Sequence, residues 1–241
     1  MKKLNLFILL WFVLNNPFLC QSSVGFNAGY TQLKMEDVNN EFNVYQDATP
    51  FTKSNNISGS LFLEGNFKYT ISPIIFGISS NYISSSGSFV FNMNGLKLYE
   101  EIYNVSCIEI LGLLETAYEF NGSPLKLFIQ LAGGIGLASA EQKEYLAAAS
   151  VELPGIELNN NYGGNYFSGR LKGGLQYVIN SLIFEFSFGY RFANAGKLEL
   201  DSSLPQPDYI QGISSPYQVY VEELEFDYSG FLISAGVSFY L

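Results

Sequence analysis

The chain has 241 residues, the length of one ordinary domain. Charged residues make up only 14% and aromatic residues 16%, with 21 Phe, 17 Tyr and 23 Gly, and the mean hydropathy is +0.14. Those values exclude a polytopic helical membrane protein, they fit poorly with a soluble domain of roughly 25% charge, and a net charge of −10 argues against nucleic acid as a partner.

The first element in chain order reads as a secretory signal over residues 1–22. Lys2 and Lys3 form a positive start, Leu4 to Leu14 an apolar stretch, and Asn15, Asn16 and Pro17 break it. Cleavage is expected near Ser22, leaving a barrel domain over residues 23–241. The apolar run is too short for the roughly 20 residues of a spanning helix. The residues before Cys20 depart from the pattern that precedes an acylated cysteine. After cleavage Cys107 is the only cysteine, so no internal disulfide can form.

Eight segments then alternate with the period of a strand: Val24 to Leu33, Ile57 to Tyr69, Ile74 to Ile83, Ile108 to Phe120, Leu125 to Ser139, Tyr166 to Val178, Leu182 to Phe192 and Phe231 to Leu241. In Leu182 to Phe192, for example, Leu182, Phe184, Phe186, Phe188, Tyr190 and Phe192 alternate with Ile183, Glu185, Ser187, Gly189 and Arg191. In Ile57 to Tyr69, the face predicted to be apolar begins with Ile57. Every charge in the eight segments falls on the opposite face: Glu64, Lys68, Glu109, Glu115, Glu119, Lys126, Arg170, Lys172, Glu185 and Arg191. A Lys or Arg turned toward lipid at the bilayer midplane costs about 2–4 kcal/mol, which clears charge from one face only. An unpaired strand edge in hydrocarbon costs several kcal/mol per group, which forces closure. The pattern therefore predicts an all-β fold, a closed up-and-down antiparallel transmembrane barrel of about eight strands. A soluble β-sandwich predicts the reverse, an apolar inner face and a mixed outer one.

The connectors agree. Thr70-Ile71-Ser72-Pro73, Asn121-Gly122-Ser123-Pro124 and Ile179-Asn180-Ser181 are short, whereas those after the first, third, fifth and seventh segments are long and polar. Short periplasmic turns and long extracellular loops are expected. Asn94-Gly95 reads as a hairpin turn that carries the third and fourth strands beyond the membrane. A strict two-residue turn there would set lipid-facing Tyr82 against lumen-facing Cys107, so a bulge or an odd-length loop is required. Lys197 to Leu200 and Tyr217 to Asp227 are expected to extend strands seven and eight, and Glu141 to Ser150 to make one or two helical turns. Tyr30, Tyr82, Tyr118, Phe120 and Tyr177 read as interfacial girdle residues.

The chain end, Ser234-Ala235-Gly236-Val237-Ser238-Phe239-Tyr240-Leu241, resembles the terminal signal of outer-membrane barrels, with Ser234, Gly236, Phe239 and Leu241 at the patterned positions and Leu241 in place of the usual Phe. From Val24 to Leu241 the chain resembles the small barrel group of OmpA transmembrane domains, Ail/OmpX-like and OmpW-like proteins. The resemblance implies location in the bacterial outer membrane. It also implies contact with its lipid and lipopolysaccharide, and handling by the barrel assembly machinery through the C-terminal strand.

The ten strand charges are five acids and five bases, so the net negative charge lies in the loops, where Glu222-Glu223-Leu224-Glu225-Phe226-Asp227 is the densest run. Balanced charges inside a small barrel predict interlocking ion pairs and a plugged lumen, with a narrow or gated pore as the alternative. The acidic rim reads as a solvated face, calcium or magnesium bridging being the sharper alternative. With no histidine in the chain, the neutral-pH base shared by known outer-membrane barrel enzymes is missing. No catalytic, cofactor-binding or metal-ligating set is expected. Gly134-Ile135-Gly136 reads as strand glycine rather than a dinucleotide turn, and Cys107 as a filler. Two functions fit: a non-enzymatic surface protein presenting acidic loops to an unidentified extracellular ligand, and a narrow or laterally opening channel for small or apolar molecules.

Overall fold

The computed structural model describes residues 20–48, 52–94, 96–147, 156–200 and 225–241. Eight long strands form the barrel: β1 (Cys20–Gln32), β3 (Gly59–Ile71), β4 (Ile74–Met93), β5 (Leu96–Glu119), β6 (Leu125–Leu146), β7 (Ile156–Ile179), β8 (Leu182–Phe192) and β12 (Gly230–Tyr240). Each pairs antiparallel with its neighbour in sequence, and β12 returns to β1 through Ser23–Tyr240 to Thr31–Leu232, so the ring closes without an edge. Of the predicted signal, residues 1–19 lie outside the described residues. Cys20, Gln21 and Ser22 open β1 opposite Ile71, Thr70 and Tyr69.

Side chains sort by parity as the alternation requires. Along β8, Phe184, Phe186, Phe188 and Phe192 are exposed while Glu185, Ser187 and Arg191 are buried. The turn rim is tight: Ser72-Pro73, with a cis peptide bond, joins β3 to β4; Asn180-Ser181 joins β7 to β8, and Gly122 takes φ +73° between β5 and β6. This rim is the periplasmic one, and the opposite rim the extracellular one.

The wall is uneven in height. β1, β3, β8 and β12 hold 11 to 13 residues, whereas β4 to β7 hold 20 to 24. About ten residues suffice to cross a bilayer, so β4 to β7 rise well beyond it as a sheet. The boundary is visible in register. Tyr82, Ile108 and Leu137 are direct cross-strand partners on the outer face, and the next row up is Ser84, Ser106 and Ser139. The required irregularity is also present: between Phe91 and Asn92 the β4–β5 register shifts past Leu98, which restores Tyr82 opposite Ile108 and Ile83 opposite Cys107. Asn94 adopts φ +53° at the turn.

Three expectations need correction. Glu141 to Leu146 belong to β6, paired to Tyr99–Asn104 of β5, rather than to a helix, because strand pairing overrides local propensity; residues 148–150 lie outside the described residues. Ile57 is buried beneath the extension, two residues before β3 begins, rather than on the lipid face. The first long connector, expected to be a polar loop, holds a helix, α1 (Glu36–Ala48), after β1. Glu36 and Asp37 sit in its first turn, where the helix dipole favours anions. Val38 and Phe42, one turn apart, are fully buried. Asn39 fixes the helix to the chain before β3: its Nδ2 donates to the Ile57 carbonyl and its Oδ1 accepts from the Ile57 amide, both at 2.8 Å.

Short strands complete the extension. β2 (Thr52–Asn55) pairs with β4, β10 (Glu199–Leu200) pairs with β7, and β9 (Asn194–Lys197) pairs with β11 (Glu225–Asp227). The expected extension of strands seven and eight is thus realised in pieces. Residues 217–224, including most of the densest acidic run, lie outside the described residues.

Candidate functional site

Two regions of the barrel can carry function, the lumen and the extracellular extension, and the sequence fills them with different chemistry. Eight of the ten predicted strand charges are buried in the lumen: Glu64, Glu109, Glu115 and Glu185 with Lys68, Arg170, Lys172 and Arg191. Glu119 and Lys126 pair with each other at the periplasmic rim.

The charges form three layers. Nearest the turns, Lys68 Nζ lies 2.7 Å from Glu115 and 3.1 Å from Glu185. Gln130 and Gln176 each donate to Glu115, at 2.8 and 2.9 Å. In the middle, Glu64 accepts from Arg170 at 2.7 Å and from Lys172 at 3.1 Å. Arg170 also donates to Asn81 Oδ1 and Ser79 Oγ, at 3.2 and 3.3 Å. Above, Glu109 accepts from Ser168 at 2.6 Å, Tyr166 at 3.1 Å and Asn81 at 3.2 Å, and Arg191 Nη1 stands 4.0 Å away. Arg191 Nη2 donates to the Tyr228 carbonyl. All eight barrel strands contribute: β1 supplies Asn27 to Glu64, and β12 supplies Ser234 Oγ, 2.7 Å from Ser187 Oγ.

Buried ions lose several kcal/mol of hydration each, and only good mutual geometry offsets that. Each of the eight buried lumen charges has an opposite charge within 4.0 Å. Two small cavities flank the middle layer. One, of about 10 Å³, is lined by Asn81, Glu109, Arg170 and Arg191 among others, and one of about 20 Å³ lies among Lys68, Glu115, Gln176 and Glu185. Each has room for about one water molecule. Between them the Glu64–Arg170–Lys172 contacts occupy the lumen.

Directly above the charged layers lies an apolar layer that strand parity alone does not separate from the ionic ones. Phe62, Ile83, Cys107, Tyr166, Tyr228 and Leu232 are buried, and Tyr166 stacks on Tyr228 with centroids 6.0 Å apart and planes 4° from parallel. Higher still, Phe42 of α1 packs on Tyr103 at 5.8 Å and Tyr103 on Phe226 at 6.4 Å. The helix therefore caps an aromatic plug. Cys107 is a free, buried part of this plug.

On the outside, Tyr30, Tyr82, Tyr118, Phe120 and Tyr177 are all exposed on the lipid-facing surface, Tyr30 and Tyr82 toward the extracellular side and the other three near the turns. A closed barrel with an apolar band between aromatic girdles is the architecture of outer-membrane proteins. Above the band the outer face turns polar: Asn104 and Asn159 donate to Glu141 at 3.0 and 3.3 Å, and Lys143 pairs with it at 3.1 Å. Hydrogen bonding from Asn104 holds the Glu141 carboxyl below its ordinary pKa.

In the terminal motif, Gly236 faces inward against β1, where an added Cβ would collide with Asn27 Oδ1, whereas Phe239 is exposed outward. No group of three or more His, Cys, Asp or Glu side chains arranged to hold a metal occurs among the described residues.

No protein-family model and no curated protein matches the sequence. Among solved structures, the chain is similar to Neisserial surface protein A, at 10% identity over 91% of this chain and 96% of that one, with a TM-score of 0.41. It is similar to the attachment invasion locus protein Ail of Yersinia pestis bound to the heparin analogue sucrose octasulfate, at 10% identity over 92% and 97% with a TM-score of 0.34. It is also similar to the outer membrane protease OmpT from Escherichia coli, at 8% identity over 92% and 96% with a TM-score of 0.41. What defines this chain as a barrel is its own closed ring of eight paired strands.

Proposed function

We propose that this chain is a non-enzymatic outer-membrane protein that uses a filled barrel to hold a structured extension outside the cell, in a structural or adhesive role. The observation that carries this reading is the contrast between the two regions. The lumen is closed by ion pairs reaching across it and by an aromatic plug, whereas β4 to β7 project a polar-faced sheet well beyond the lipid boundary. The signal over residues 1–22 would direct export, and β12 with its terminal motif would be the strand presented to the assembly machinery. Outer-membrane lipid and lipopolysaccharide would surround the band between the girdles.

Planar-bilayer recording of the refolded protein tests the closed lumen, and no conductance above background is the expected result. Steady channels would instead favour a narrow pore. For the surface role, cells displaying the intact chain should bind extracellular matrix or host-cell ligands, and cells displaying a chain shortened between Ser86 and Asn104 should lose that binding. Equal binding by both would remove the adhesive version.

A further inference from the structure

Glu101 on β5 and Glu144 on β6 are direct cross-strand partners on the inner face of the extension. Gln142 Nε2 donates to both, at 2.7 Å to Glu101 Oε1 and 2.9 Å to Glu144 Oε1. The same amide is held in place by its oxygen, which accepts from Tyr162 at 2.8 Å and Asn160 at 3.4 Å. Glu101 is only 2% exposed, and Tyr99 donates to its other oxygen at 3.2 Å.

Among the described residues, the other titratable groups facing this pair are also acidic or phenolic. They are Glu41 from α1, Tyr99 and Tyr103 from β5, and Tyr162 from β7. The nearby lysines point elsewhere: Lys97 pairs with Glu100, Lys143 pairs with Glu141, and Lys53 stands opposite Val90 on the outer face. Among the described residues no ion pair reaches Glu101 or Glu144. Like charges directly opposite on adjacent strands repel, and burial strengthens the repulsion.

We propose that Glu101 and Glu144 form a proton-operated latch on the extension, in which uptake of one proton converts two repelling carboxylates into an acid–carboxylate pair sharing the Gln142 amide. The proton comes from solvent and resides on Glu144, the more exposed partner, and the local negative charge falls by one. Burial, with Glu101 opposite, raises the Glu144 carboxyl above its ordinary pKa, in the direction the latch needs. The effect reaches the cap because Phe42 of α1 packs on Tyr103 and Glu41 faces the same cluster. The latch operates in a structural or an adhesive protein alike, since it depends only on the extension.

Hydrogen exchange read by mass spectrometry on the full folded chain in lipid nanodiscs tests it, at about pH 7.5 and about pH 5, after correction for the intrinsic pH dependence of exchange. Peptides from α1, residues 96–105 and residues 139–146 should gain roughly tenfold protection at the lower pH. Peptides from residues 60–70 and 182–192 serve as the internal control and should not change. Glu144→Gln should show the low-pH protection at both values. Unchanged wild-type protection in the extension, or a Glu144→Gln variant that keeps the full pH response, would overturn the latch. Should that variant fail to give a folded, heat-modifiable band, Glu101→Gln and the wild-type pH profile decide the matter in the same way.

Discussion

Glu64 and Arg170 meet at 2.7 Å from strands on opposite sides of the barrel. In the ring order, β3 and β7 are separated by three strands in either direction, so this ion pair bridges the lumen rather than lining it. Lys172 joins the same carboxylate at 3.1 Å. Glu64→Gln should therefore leave two buried cations without their main partner and destabilise the barrel by about 3–5 kcal/mol. Urea unfolding in lipid vesicles, followed by heat-modifiable gel migration, measures it. In a double-mutant cycle with Arg170→Gln the two losses should not add, because the second removes part of the charge the first leaves stranded.

Gly133 and Gly134 are adjacent on β6 but face opposite sides. A Cβ on Gly133 would meet nothing nearer than the Ser168 carbonyl at 4.0 Å, whereas one on Gly134 would collide with the Ile110 backbone. Gly133→Ala should be close to neutral, and Gly134→Ala should cost about 1–3 kcal/mol through overpacking. The same unfolding measurement distinguishes them, and equal effects would mean that the assignment of faces is wrong. A charge on the lipid side is a harsher test: Leu131→Arg should cost about 2–4 kcal/mol near the midplane.

Much of this was legible in the sequence because strand parity is strict. One charge on the wrong side of Phe188 or Leu131 is expensive, so the ten strand charges report the inner face directly. Parity arithmetic also required an irregularity between β4 and β5, since a strict two-residue turn would set lipid-facing Tyr82 against lumen-facing Cys107, and the register places it at Leu98. What escaped was the part governed by contacts distant in sequence. Among the described side chains of helix α1 the buried ones are Val38 and Phe42, and its partner surfaces come from β5, β11 and the chain before β3. The apolar plug was hidden for a related reason: Phe62, Ile83 and Cys107 share the inner face with charged residues, and only the assembled barrel shows them stacked above the ionic layers. Glu141 to Leu146 looked helical from composition alone, but the β5 edge beside them outweighs that preference.

Asn39 should matter more than an exposed helix residue ordinarily does, because one side chain satisfies both backbone groups of Ile57. Asn39→Ala would leave a buried amide and carbonyl unpaired, at about 1–3 kcal/mol. The loss should be local. Hydrogen exchange in α1 should accelerate by roughly an order of magnitude or more, while exchange in β6 and β7 stays as in the parent. A uniform acceleration across the barrel would mean that α1 is part of the global folding unit instead of a separately docked cap.

Glu141 and Glu144 lie three residues apart on β6 with opposite surroundings, and their titrations should separate accordingly. Hydrogen bonding from Asn104 lowers the Glu141 pKa, whereas burial and the opposing Glu101 raise that of Glu144. The lowered group stabilises the fold above its unfolded-state pKa, and that contribution disappears as pH falls through its folded value. The raised group works the other way: its contribution is present below the unfolded value and is lost as pH rises through the folded one. Carbon-13 NMR of labelled glutamate carboxyls in the folded chain should show Glu144 protonating first as the pH is lowered, and Glu141 later. Asn104→Ala should move the Glu141 titration upward and leave Glu144 in place, since Asn104 is on the outer face and Glu101 on the inner one. If both carboxyls shifted together, the two faces of the extension would not be electrostatically separate, and the sheet could not hold a charge-paired exterior over an inner carboxylate pair.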